Sequence, residues 1–150
     1  MKNISRVIFA SGSGTSRAPM ATAIFLATPR SRQFVCEARG LVVQFPEPLN
    51  QKAEAVLISN GIELKDYSSK QLMESDFTEN TLVITMESSQ RSKILTEYEN
   101  ATEDNTKLLN ELVGDELEVM DPYGGPIQTY GLCYEVLKVS IEKLMRILEA

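Results

Sequence analysis

Histidine and tryptophan are absent from this chain of 150 residues, and cysteine occurs only twice, as Cys36 and Cys133. Without histidine there is no base for a Ser-His-Asp triad, so hydrolysis of that type is excluded. A zinc or iron site likewise has almost no ligands to use, and neither a metal nor a cofactor is expected. The two cysteines are too few and too far apart for a disulfide framework. Each sits among apolar neighbours, Phe34-Val35 and Leu132-Tyr134, and is read as a buried free thiol. No apolar run approaches the ~18 residues of a membrane span, and Met1-Lys2-Asn3 is not followed by a secretory segment. A net charge of -6 argues against duplex nucleic acid or an anionic membrane as partner. The expectation is a cytoplasmic protein.

With 43% apolar and 24% charged residues, the chain has the composition of an ordinary globule, and its length suits one domain over residues 1–150. Strand and helix signals alternate. Ile4 to Ala10 reads as a first strand, Ala18 to about Ala27 as a helix, and Gln33 to Ala38 as a second strand. Leu49, Ala53, Val56 and Leu57 make a helical stripe that stops at Asn60-Gly61. Thr81 to Met86 is a continuous apolar run, as befits an inner strand of a parallel sheet covered on both faces. A helix is predicted from about Ser88 to Tyr98, then a short strand over Thr106 to Asn110. Tyr130, Tyr134, Leu137, Ile141, Leu144 and Leu148 recur at spacings of three and four, the core stripe of one long terminal helix. This order implies right-handed crossovers and a doubly wound α/β sandwich whose ligands sit beyond the carboxyl ends of the strands.

The most informative segment is Val7 to Met20, V-I-F-A-S-G-S-G-T-S-R-A-P-M. An apolar strand gives way to small residues, closes on Arg17, and opens a helix with Pro19 in its first turn, where a missing N–H costs least. Backbone N–H groups in such a loop can converge on one point, the helix N-terminus adds partial positive charge, and a guanidinium offers a fork for phosphate oxygens. A dinucleotide G-x-G-x-x-G begins at Gly12-Ser13-Gly14 but meets Arg17 where its third glycine should stand. A Walker A loop has no Gly-Lys-Ser/Thr here, and a G-x-S-x-G elbow fails because Ser11 replaces its first glycine. Small polar residues could also form a mere flexible turn. The remaining frame is C-x5-R, with Ser11 in the cysteine's place and Arg17 six residues on.

Together with Pro19-Met20-Ala21 and a late Asp121-Pro122-Tyr123, this loop resembles the low molecular weight protein tyrosine phosphatases over nearly the whole chain. The resemblance implies an α/β three-layer sandwich, with a four-stranded parallel sheet flanked by helices and the phosphatase loop after strand one. It implies phosphoprotein dephosphorylation through a phospho-enzyme intermediate. Ser11, Arg17 and Asp121 would be the catalytic positions, Gly12, Ser13, Gly14, Thr15 and Ser16 would bind phosphate with Arg17, and Tyr123 would wall the pocket. Expected ligands are a phosphorylated protein or small phosphomonoester, or inorganic phosphate or sulfate in the loop.

The chain departs from the family pattern at Ser11, at Gly14, where Asn or Asp is usual, and at Ala18, where a Ser commonly activates the thiolate. A cysteine in this cradle would have its pKa lowered and attack as thiolate, whereas a serine hydroxyl stays protonated. Little or no turnover is expected, while phosphate binding should survive. Two origins fit Ser11, a substrate-trapping substitution or a natural pseudophosphatase that recognises phosphorylated partners. Asp121 would need a raised pKa to remain protonated as a leaving-group acid, a shift that burial beneath Tyr123 and the negative phosphate could supply. Thr15 and Gly124-Gly125 resemble the bacterial protein arginine phosphatases, and phosphotyrosine is the broader family's substrate. Asp76, Glu79, Glu87 and the cluster Glu97, Glu99, Glu103 and Asp104 read as solvated surface charge.

Overall fold

The computed structural model describes residues 1–150. Four parallel strands, β1 (Arg6–Ala10), β2 (Val35–Arg39), β3 (Thr81–Thr85) and β4 (Thr106–Leu108), form one sheet in the order β2-β1-β3-β4. Val7 lies between Cys36 and Leu82 in register, which puts the carboxyl end of β1 at the centre of one sheet edge. Five helices surround it: α1 (Arg17–Ala27), α2 (Gln51–Ser59), α3 (Ser88–Glu97), α4 (Leu109–Val113) and α5 (Ile127–Leu148).

Alternation along the inner strands sends successive side chains to opposite faces. Val7, Phe9, Leu82 and Ile84 join the larger core with residues of α1, α2 and α5. Ile8, Ala10 and Val83 point the other way, onto Leu41, Leu72 and Ile94 of α3. Every residue of β3 is buried, as its unbroken apolar run required. Phe25 of α1 stacks edge-on between Phe9 and Phe34, with ring centroids 6.1 and 5.7 Å away. The α5 stripe from Tyr130 to Leu148 is buried as its spacing predicted.

Element edges differ from the sequence-based expectation for local reasons. Ile4 stays outside β1 because its N–H turns back to the Met1 carbonyl. The fourth strand ends at Leu108 because Leu109 to Val113 coils into α4, which Gly114 closes at φ 83°.

Asp76 is buried, not solvated. Its carboxylate accepts from Arg39 Nε at 3.2 Å, from Arg6 at 3.0 Å and from the Met73 N–H at 3.0 Å. Glu37 bridges the same two guanidiniums, at 2.9 Å to Arg6 and 3.1 Å to Arg39. The reason is charge balance, since the buried Arg39 at the end of β2 needs a carboxylate within reach. Burial pushes both carboxyls up, but the hydrogen bonds and the two guanidiniums outweigh it and hold Asp76 and Glu37 below their ordinary values of 3.8 and 4.5. Groups held below their unfolded pKa stabilise the fold above that value and lose the effect as pH falls through the folded one. The urea midpoint should therefore fall on acidification below about pH 4.5. Asp76→Asn should cost about 3 kcal/mol at neutral pH by leaving guanidinium charge uncompensated, and should flatten that acid slope.

Candidate active site

Between β1 and α1 the backbone turns on Gly12 at φ 24° and Gly14 at φ 75°, the latter a conformation that L side chains rarely adopt. The loop's carbonyls are then taken up one by one. Ser11 O accepts the Gly14 N–H at 2.9 Å, and Gly12 O the Leu41 N–H at 2.7 Å. Thr15 O accepts the Asn50 N–H and Ser16 O the Met20 N–H, both at 3.0 Å. Gly14 O accepts the Tyr67 hydroxyl at 2.5 Å. In a trans peptide the carbonyl of one residue and the N–H of the next point in opposite directions. Each of these five bonds therefore turns the following N–H, of Gly12, Ser13, Thr15, Ser16 or Arg17, away from the donor, and none of those five has a partner within the chain. The exception is the Gly14 amide, which was expected in the phosphate-binding set and is spent on Ser11 O.

These residues, with Ser11, Asp121 and Tyr123, line a pit of about 50 Å³, the size for one tetrahedral anion. A larger hollow lies between α1 and α5 beside Ile24 and Tyr134, away from this loop. Ser16 precedes α1 without a side-chain cap bond, so the positive end of the helix is left open toward the pit.

Ser11, 3% exposed, lies at the base of the pit, and its Oγ accepts the Ala18 N–H at 3.2 Å. Arg17, 4% exposed, donates from one terminal nitrogen to Val119 O at 2.8 Å. The other terminal nitrogen pairs with Glu87 at 2.7 Å and lies 3.7 Å from Asp121. Its Nε makes no hydrogen bond and is not sealed from solvent, which leaves a donor for a guest. Glu87 is thus a partner of the loop and not free surface charge. It stands two residues after β3, the strand beside β1, so topology carries it to the same edge.

Asp121 and Tyr123 reach the pit's rim, but the cover expected over the acid is absent. Tyr123 is 79% exposed and the Asp121 side chain 54% exposed. The cause is the turn itself: the Tyr123 N–H bonds back to Asp121 Oδ1 at 3.1 Å, and Gly124 at φ 82° swings the chain away. Lys52 Nζ, 2.7 Å from Gly125 O, ties this turn to α2. Both cysteines are buried, and burial pushes the Cys36 thiol up and that of Cys133 to about 12, so neither supplies a thiolate.

The low molecular weight phosphotyrosine protein phosphatase family matches residues 6–150. The chain belongs to that family. Among its relatives is the protein-arginine-phosphatase of Geobacillus stearothermophilus, 27% identical over 139 residues that cover 93% of each chain. The low molecular weight protein-tyrosine-phosphatase PtpB of Staphylococcus epidermidis is 25% identical, over 93% of this chain and 96% of its own. Among solved structures, the low molecular weight protein tyrosine phosphatase from T. tengcongensis superposes with TM-score 0.87 at 30% identity, over 96% of this chain and 99% of that one. A cysteine-to-serine mutant of the YwlE arginine phosphatase with a phosphorylated active-site serine superposes with TM-score 0.85 at 25% identity, over 95% of each chain. The four-stranded parallel sheet and its helices are the fold of these phosphatases.

Gly40, which no local pattern singled out, lets the loop pack against the end of β2. A Cβ there would lie 2.5 Å from Val43 Cγ2 and 2.7 Å from Ser13 O. Gly40→Ala should lower unfolding stability by about 1–3 kcal/mol in chemical denaturation and weaken inorganic phosphate binding. Glu87→Gln should act in the opposite sense on the ligand. It removes a charge that competes for Arg17, and calorimetry should find phosphate bound about twofold to fivefold more tightly.

Proposed function

We propose that this chain grips a phosphoryl group, borne by a protein side chain or a small phosphomonoester, in its 11–17 loop, and that Ser11 in place of the family's cysteine leaves it little or no turnover. The observation that carries this reading is the set of five unpaired amides, of Gly12, Ser13, Thr15, Ser16 and Arg17, around a pit sized for one anion. Arg17 adds its free Nε–H and its charge. In the same reading Asp121 is the acid that protonates the leaving group and Tyr123 is a side wall. Inorganic phosphate and sulfate would occupy the same pit, and the compartment is the cytoplasm.

The chemistry stops at Ser11 for a physical reason. The field of the helix end and Arg17 would lower a thiol's pKa into the working range, but an alcohol starts far higher and stays protonated. No histidine stands by to remove its proton. Even after transfer, an alkoxide leaves phosphorus far less readily than a thiolate, so the second, hydrolytic step would stall.

A second reading has an observation of its own, the phosphorylated active-site serine of the YwlE mutant. In it Ser11 Oγ bonds to phosphorus as the bond to the leaving group breaks, and the hydroxyl proton passes to that leaving group through Asp121. The chain then stays phosphorylated at Ser11. Phosphotyrosine is the substrate of the broad family, and the arginine phosphatases among the relatives, with Thr15 and Gly124-Gly125, favour phosphoarginine as the alternative.

The Ser11→Cys variant tests this. Assayed with p-nitrophenyl phosphate and with phosphoarginine, it should turn over at least about a hundredfold faster than the chain with Ser11. Silence of that variant with intact phosphate affinity would instead mark a binding module without turnover. Intact mass of the Ser11 chain after exposure to either compound separates simple binding from capture, since capture adds one phosphoryl group.

A further inference from the structure

Of the five donors that take up the loop's carbonyls, four are main-chain N–H groups, one of them that of Gly14 in the loop itself, and one is a side chain, the Tyr67 hydroxyl on Gly14 O. Tyr67 lies 53 residues from its acceptor, in the irregular segment between α2 and β3. Its ring packs against the larger core, which fixes where the hydroxyl reaches. Burial pushes that hydroxyl to about 12, so it remains a protonated donor at physiological pH. The residue before it, Asp66, is the only non-glycine in the chain with positive φ, at 55°. Asp tolerates that conformation better than most residues but still at some strain, as expected where the fold fixes the direction of the next side chain. Gly14 has no side chain of its own with which to brace the loop, and the Tyr67 hydroxyl is the one hydrogen-bond partner of its carbonyl.

We infer that Tyr67 is a positioning residue of the site: by holding the Gly14 carbonyl outward it keeps the Thr15 N–H aimed into the pit. This rests on the phosphate reading above for the partner of that N–H. A loop whose Thr15 amide wandered would bind a tetrahedral anion with one donor fewer, while the rest of the fold stayed intact.

The test is a titration of the 150-residue chain with inorganic phosphate, followed by amide NMR, in the parent and in Tyr67→Phe. The parent should show phosphate-dependent shifts at Gly12, Ser13, Thr15, Ser16 and Arg17. Tyr67→Phe retains the ring, so its melting temperature should change by only a few degrees, yet phosphate should bind about fivefold to tenfold more weakly. The Thr15 shift should shrink selectively while those of Ser16 and Arg17 persist. Asp66→Gly, which accepts positive φ without strain and leaves the hydroxyl in place, should bind phosphate as the parent does. If the parent responds to phosphate and Tyr67→Phe matches it in affinity and in the Thr15 shift, the positioning role is wrong and the phosphate reading stands. Equal attenuation at every loop amide also overturns it, by marking a general loss of structure. A parent that shows no loop shift at all sinks both.

Discussion

The geometry of this molecule turns on where one loop sends its carbonyl groups. A segment that bends sharply after a buried strand has more backbone donors and acceptors than its own turns can satisfy, and each must find a partner or face water. Here the acceptors find partners to the outside: the start of the β2–α2 connection, the residue that caps α2, the first turn of α1 and a distant phenol. The donors are left facing inward as a consequence of planar peptide geometry, not as a separate feature to be built. The concave surface is therefore supported by most of the fold. Gly40 at the end of β2 belongs to that support, because it lets Gly14 and Ser13 come within van der Waals contact of the neighbouring strand.

Charge is arranged on a similar plan. Two arginines lie buried near the carboxyl edge of the sheet, and each is met by two carboxylates, Arg39 by Asp76 and Glu37, Arg17 by Glu87 and Asp121. The first set is closed: Arg6 joins it, its hydrogen bonds interlock, and its effect is structural. The second is open, since Arg17 keeps Nε uncommitted and its carboxylates are partly solvated. An open set of that kind is a compromise. The carboxylates hold the guanidinium in place and would oppose the arrival of a dianion, so on the phosphate reading the amides would supply much of the attraction.

How far the sequence disclosed all this follows from the reach of each interaction. The alternation of strands and helices, the buried β3, the α5 stripe and the loop with Arg17 are written in local pattern: periodicity, apolar runs, and the Gly and Pro at fixed offsets. Glu87, Asp76, Tyr67 and Gly40 are not, because each acts on a residue far away in the chain, Glu87 on Arg17 and Asp76 on Arg39. A lone Glu or Asp in a polar stretch reads as surface. Only the topology, which sets the end of β3 beside the end of β1, turns Glu87 into a neighbour of the loop. One signal did exist, since a carboxylate two residues after an inner strand of a doubly wound sheet stands at the edge where ligands gather. The short α4 was also legible in principle: Leu109, Leu112 and Val113 before Gly114 make a helical turn with its stop, obscured by the β-prone residues just ahead.

The separation between grip and chemistry has the same root. Every amide facing the pit belongs to the main chain, and the side chain at position 11 contributes to the loop only one bond, from the Ala18 N–H to Oγ. Exchanging sulfur for oxygen there leaves all five amides, the helix end and Arg17 where they were. What changes is the reacting atom, its acidity and its quality as a leaving group. A site built from side-chain donors would have let binding and catalysis decay together. One built from backbone lets the reacting atom change while the concave surface is kept, and on the proposed reading the Ser11 chain is a family fold that still grips a phosphoryl group with little or no turnover.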